Sequence, residues 1–251
     1  PGNQNGTVYA YKLTFADGTV SDYAGSTYGT LSTSSVSNTT NDPYSIATTQ
    51  GGNRSVVESS ANLASNLALA QGKSATWRVA SPTQAIVDEL HIRDFTSSST
   101  SGVSAGNRGK FLGVIQSGTT DPNTGTATGL DYLKNEGFNY IQLMPASQYA
   151  SVNEAGNRTT AQPNNFNWGY DPQNEMVPEG EYASNSVNPV TRINEMKEMV
   201  QGLHTNGISV VMDMVLNHVY SQSASAFEKA EPGYYFRKNT QSGCGNDTAS
   251  N

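Results

Sequence analysis

Ile208-Ser209-Val210-Val211-Met212-Asp213-Met214-Val215-Leu216-Asn217-His218 is the stretch whose reading decides the fold. Its first six residues form a short apolar run that follows Asn206-Gly207 and ends at an acid, which reads as a strand. Just upstream, Ile193, Met196, Met199, Val200 and Leu203 mark one face of a helix. Pro189 lies near that helix's start and Asn206-Gly207 stops it. The same order repeats further back. Leu130, Tyr132 and Leu133 sit on a short helix that ends at Gly137, and the run Phe138–Met144 follows as a strand. Earlier still, Ala85–Ile92 reads as the first strand. A long Ser/Gly loop follows it, with an apolar island at Phe111, Leu112, Val114 and Ile115.

Strands joined by helices imply parallel pairing through right-handed crossovers. An open doubly wound sheet and a (β/α)8 barrel both fit this α/β pattern. No glycine-rich phosphate loop follows the first strand, which weakens the dinucleotide-binding version of the open sheet. Three strands are countable, whereas a closed barrel has eight.

The segment before this region behaves differently. Thr7–Phe15 alternates and is rich in β-formers, and Asp17-Gly18 reads as a hairpin turn. From Ser26 to Asn41 the chain is nearly all Ser, Thr, Gly and Asn, which is expected to be a flexible surface insertion. Ser55-Val56-Val57 is a further short strand. The expected division is therefore 1–75, the end of a β-sandwich with an insertion at 26–41 and a linker, and 76–251, the repeating α/β part.

In both parallel architectures sites lie at the carboxyl ends of strands. The first strand finishes with His91, Arg93 and Asp94. The second runs into a loop holding Asn167-Trp168-Gly169-Tyr170-Asp171-Pro172, and the third finishes with Asp213, Asn217 and His218. That set suits a sugar, whose C–H faces pack on aromatic planes such as Trp168 and Tyr170 while its hydroxyls make polar contacts with Asp213, Asn217 and His218. The plainer alternative has Trp168 and Tyr170 packing a loop on the rim and His218 as a hydrogen-bonded structural residue. On that alternative Arg93 pairs with Asp94 or Asp213 to tie strand ends together.

The net charge is -7, with 14 Lys+Arg against 21 Asp+Glu, which gives no pull toward nucleic acid or anionic membrane. No apolar run is long enough to span a bilayer, and Pro1–Gly6 lacks the layout of a signal peptide. Charged residues make up only 14%, and Ser, Thr and Asn fill about a third of the chain, a composition common in extracellular proteins. A secreted or cell-surface protein is therefore expected. The single cysteine, Cys244, excludes an intrachain disulfide. Three His residues, none at ligand spacing to another, argue against zinc. No metal site is assigned. Calcium held by Asp and Asn oxygens stays open, with no EF-type loop behind it.

These residues also carry a family resemblance. Asp213-Met214-Val215-Leu216-Asn217-His218 resembles the first signature region of the α-amylase family of glycoside hydrolases, at the end of barrel strand three. Asn167–Pro172 resembles the tryptophan-glycine-tyrosine signature of type I pullulanases, the debranching members. Glu89–Phe95 is similar to their first barrel strand, Gly243-Cys244-Gly245-Asn246-Asp247 to the segment before their fourth, and Asp42-Pro43-Tyr44-Ser45 to the junction between their starch-binding-type β-sandwich and the barrel.

The resemblance implies the first three strand-helix units of a (β/α)8 TIM barrel. It also implies hydrolysis of α-1,6-glucosidic links in pullulan, starch and related α-glucans, with retention. Retention needs a nucleophilic carboxylate and an acid about 5 Å apart. By the family's layout the nucleophile, the acid and a third carboxylate lie on strands four, five and seven, expected after Asn251. No catalytic residue is therefore assigned within the chain, and the remainder of the same enzyme becomes its partner. The substrate-binding residues implied are Tyr170, stacking under the sugar at the cleavage subsite; His218, bonding its hydroxymethyl group; Asp213, holding the geometry; Asn217, positioning His218 or the nearby loop; and Trp168, helping to form a wall. A non-catalytic α-glucan-binding fragment and an α-1,4-acting relative are the rival readings.

Overall fold

In a computed structural model the structure describes residues 2–15, 19–21, 27–30, 36–59, 63, 79–155, 166–232 and 234–236. The Asp17-Gly18 turn, Cys244 and the Gly243–Asp247 segment lie outside them.

The chain opens with β1 (Val8–Tyr9), β2 (Tyr11–Phe15), β3 (Thr19–Ser21), β4 (Thr27–Thr30), β5 (Val36–Thr40) and β6 (Ser55–Val56). These strands pair two by two and antiparallel, β1 with β6, β2 with β5 and β3 with β4. Tyr11 faces Thr40 and Phe15 faces Val36, and then Thr19 faces Thr30, so β2–β3 and β4–β5 are two arms of one ribbon. Within 26–41, residues 27–30 and 36–40 are paired strand. Backbone N–H and C=O groups supply a ladder whether or not the side chains are apolar, and Thr is a good strand former.

From residue 87 the elements are β7 (Val87–Leu90), α1 (Ile92–Thr96), α2 (Phe111–Val114), α3 (Gly129–Asn135), β8 (Tyr140–Leu143), β9 (Ser147–Tyr149), β10 (Pro172–Pro178), α4 (Pro189–Thr205), β11 (Ser209–Met212) and α5 (Ala226–Ala230). β7, β8 and β11 form one parallel sheet in the order β11-β8-β7. The register aligns Val87, Tyr140 and Ser209, and four residues of each strand pair in step. Each strand is shorter than its apolar run in the sequence. His91, for example, already caps α1, its Nδ1 accepting the Asp94 N–H at 3.2 Å.

The helices end where local chemistry stops them. α3 runs into Gly137 at φ +79, where the Gly137 and Phe138 N–H groups return to the Lys134 and Leu133 carbonyls. α4 starts with Asn188 accepting the Val190 and Thr191 N–H groups and Pro189 at its first position, and it closes at Gly207, φ +82. β9 and β10, an irregular antiparallel pair, were missed in the sequence, where a strand bounded by Pro172 and Pro178 reads as loop.

One face of the parallel sheet carries Leu90, Ile141, Leu143 and Val210 into a core with Phe111, Val114, Leu130, Leu133, Met199, Val200 and Leu203 of α2, α3 and α4. Each fully buried Leu or Met there contributes roughly 2 kcal/mol. The alternate residues Val87, Glu89, Gln142 and Val211 point to the opposite face, where Val87 and Val211 are exposed. A smaller core of Ala47, Val56, Leu63 and Ile193 joins the segment around β6 to α4. Asn41 Nδ2 donates to Asn174 Oδ1 at 2.7 Å and Thr48 to Gln148 Oε1 at 2.9 Å across the same seam.

Candidate active-site cluster

The 166–171 loop lies across the ends of all three parallel strands. After β8 it packs against the chain at Pro145: a Cβ on Gly169 would stand 2.5 Å from the Pro145 carbonyl oxygen, and the residue holds φ +91. Only glycine meets both conditions. The loop's turn is tied by Asn167, whose Nδ2 donates to Ser151 Oγ at 2.6 Å and Asp171 Oδ1 at 2.7 Å while its Oδ1 accepts the Gly169 N–H at 2.7 Å. Ser151 in turn donates to Asp171 Oδ2 at 2.6 Å.

Beyond β11 the loop meets the site residues. The Tyr170 hydroxyl donates to Asp213 Oδ2 at 2.8 Å. His218 Nε2 is 2.6 Å from the Tyr170 carbonyl oxygen, which only accepts, so Nε2 carries the proton. His218 Nδ1 then accepts from Asn217 Nδ2 at 2.9 Å, as a neutral imidazole does. Tyr170, Asp213, Asn217 and His218 are thus one hydrogen-bonded chain at the sheet's carboxyl end. The hydrogen bond to Asp213, with lesser help from burial, pushes the Tyr170 phenol up to about 12. Trp168 stands 60% exposed in the same loop, and Tyr170 is 39% exposed. Both present aromatic surface to solvent. Both His218 nitrogens are engaged, so any further acceptor would share Nε2–H with the Tyr170 carbonyl.

At β7 the geometry settles the ion-pair question: Arg93 bonds Asp94 Oδ1 at 3.1 Å, and its guanidinium lies 5.5 Å from the Phe166 ring centre. His91 reaches the loop too, its Nε2 2.8 Å from the Asn167 carbonyl oxygen. Behind the cluster lies a feature missed in the sequence. Buried Arg192 on α4 donates to Glu154 Oε1 at 3.3 Å, with the charge of buried Glu179 also acting on it. Burial first, then the Glu154 charge, push the Glu179 carboxyl well above the usual carboxylate range. The Pro178-Glu179-Gly180-Glu181 run looks solvated in sequence, and its partners sit on distant segments. Ser151 likewise carried no motif.

A family model described as "Alpha amylase, catalytic domain" matches residues 93–246. The chain is 39% identical over 175 residues to the pullulanase of Bacillus subtilis (strain 168), covering 67% of this chain and 23% of that protein. It is 33% identical over 195 residues to the chloroplastic pullulanase 1 of Arabidopsis thaliana, covering 64% of this chain and 20% of that one. Among solved structures it resembles the Paenibacillus barengoltzii pullulanase in complex with maltohexaose and alpha-cyclodextrin, at TM-score 0.73 and 38% identity over 82% of this chain and 30% of that one. The Bacillus acidopullulyticus pullulanase matches at TM-score 0.75 and 32% identity, over 95% of this chain and 26% of that one. The chain therefore spans about a quarter of the length of these relatives. With the parallel β7–β8–β11 sheet, the likeness gives a TIM-barrel-type fold.

Proposed function

The chain belongs to the alpha-amylase family, and on that premise we propose that it is part of a pullulanase-type glycoside hydrolase cleaving α-1,6-glucosidic links in pullulan, starch and related α-glucans. Its antiparallel pairs before residue 60 are then the end of a β-sandwich, and the β7–β8–β11 sheet is the first three strands of the catalytic barrel. The observation that carries the reading is the hydrogen-bonded chain of Tyr170, Asp213, Asn217 and His218, with the Tyr170 and Trp168 rings exposed in one loop. Relatives in the same family have been solved with maltooligosaccharides.

On this reading Tyr170 stacks under the glucose at the cleaved bond. Asp213 holds the phenol, and does not attack. His218 shares its Nε2–H with the sugar's hydroxymethyl oxygen, and Trp168 walls the subsite. The nucleophile and acid of the retaining reaction belong to barrel strands outside this chain and are supplied by the remainder of the enzyme. Secretion or display at the cell surface fits the low charge of 14% and the neutral polymer substrate.

The test is product analysis of the full-length enzyme on pullulan and on unbranched amylose. Maltotriose as the sole product from pullulan, with amylose untouched, is expected. Cleavage of amylose with pullulan left intact would assign an α-1,4-acting relative instead.

A further inference from the structure

His91 sits between the loop that carries Tyr170 and a buried chain of hydroxyls. Its side chain is 7% exposed. Nδ1 accepts the Asp94 N–H at 3.2 Å, and a backbone N–H can only donate, so Nδ1 carries no proton. Nε2–H then points at the Asn167 carbonyl oxygen, 2.8 Å away, with the Tyr182 hydroxyl at 3.2 Å. The Tyr182 hydroxyl is 3.1 Å from that of Tyr149, which lies 3.1 Å from Glu181 Oε1. Tyr149, Tyr182 and Glu181 are all at most 2% exposed. The imidazole is also fixed by ring contacts, 6.1 Å from Tyr182 at 84° and 5.4 Å from Phe166. One side of His91 is thus anchored in the rigid interior. The other side holds the main chain of Asn167, whose own side chain ties the turn that presents Tyr170.

We propose that His91 is the positioning residue for Tyr170: a neutral imidazole, held as the Nε2–H tautomer, that fixes the height of the 166–171 loop over the strand ends through the Asn167 carbonyl. The proposal rests on the reading that Tyr170 meets the glucan. It assigns no contact between His91 and substrate. Its energetic logic is that a phenol displaced by a fraction of an ångström no longer presents its face to the reacting sugar, which affects the rate more than the melting temperature.

The experiment uses the full-length protein with His91→Gln, His91→Asn and His91→Ala, each alone and combined with Tyr170→Ala. A Gln amide nitrogen reaches the Nε2 position, whereas an Asn amide reaches only Nδ1. His91→Gln is expected to keep kcat/KM on pullulan within about three-fold of wild type, while His91→Asn and His91→Ala lose about ten-fold or more, mostly in kcat. In the Tyr170→Ala background the same three changes should shift kcat/KM by less than about two-fold, because the residue they act through is gone. Should His91→Ala fail to fold, the Gln and Asn pair carries the comparison.

Equal losses in the Gln and Asn variants, or losses that multiply with Tyr170→Ala, would overturn the proposal. The wild-type protein separates the two failures. If it cleaves starch and not pullulan, the linkage reading falls and the same cycle is run on starch. If it cleaves neither, maltotriose binding by calorimetry supplies the cycle, and absence of that binding overturns the reading and this inference together.

Discussion

Gly169 and Tyr170 show how much of the site is decided by single atoms. At Gly169 a methyl group would overlap the Pro145 carbonyl at 2.5 Å and force a side chain into φ +91. Gly169→Ala is expected to lift the loop and lower kcat/KM of the full-length enzyme about ten-fold or more, with little change in melting temperature. Steady-state kinetics beside a thermal melt check this. Tyr170 offers a pH test. Its phenol is raised to about 12 chiefly by the hydrogen bond to Asp213, so that bond persists below the ordinary tyrosine range near 10 and is lost as pH rises through 12. Asp213→Ala removes both the accepting oxygen and the charge and should bring this tyrosine back toward 10, as followed by NMR titration of labelled tyrosine rings. That Tyr170, Asp213 and His218 come together was legible in the sequence, because a parallel sheet brings the carboxyl ends of its strands to one side. Ser151 and Asn167 were not legible as a pair, since a hydrogen bond between residues 16 apart leaves no local pattern.

Among the elements, α4 is the best-written in sequence and its buried face the least. Pro189, the apolar spacing and Asn206-Gly207 specify its ends. Nothing in the sequence says that Arg192 on that helix is fully buried against Glu154, because the partner is 38 residues earlier in an irregular loop. The Arg192 pair docks α4 against β9, β10 and the Gly51 turn, whose N–H also reaches Glu154 at 2.7 Å. Arg192→Met leaves the Glu154 charge buried without its cation, for an expected loss of about 3–5 kcal/mol. Differential scanning calorimetry of the full-length enzyme would read it as a lowered transition for this domain, partly recovered when Glu154→Gln removes the orphaned charge. The β9–β10 pair escaped sequence reading for a related reason: its stability comes from Gln148, Asn174 and Thr48 bonding one another in the interior, and such amides look like surface residues in a linear sequence.

At the scale of the whole molecule the parallel order of β7, β8 and β11 followed from strand-helix alternation, whereas the polar ribbon of β2–β5 did not, because backbone pairing needs no apolar signature. The sheet leaves Val87 and Val211 exposed on the face opposite its core, and β7 and β11 each have one unpaired edge within this sheet. The 251-residue polypeptide expressed alone is therefore expected to bind a hydrophobic dye and melt without a sharp transition, and a cooperative calorimetric peak would count against this. The most direct test of the account is a crystal structure of the full-length protein with maltotriose. It should show a glucose ring stacked within about 4 Å of the Tyr170 ring, with its hydroxymethyl oxygen within hydrogen-bond reach of His218 Nε2. Maltotriose bound elsewhere, with no sugar touching Tyr170 or His218, would contradict it.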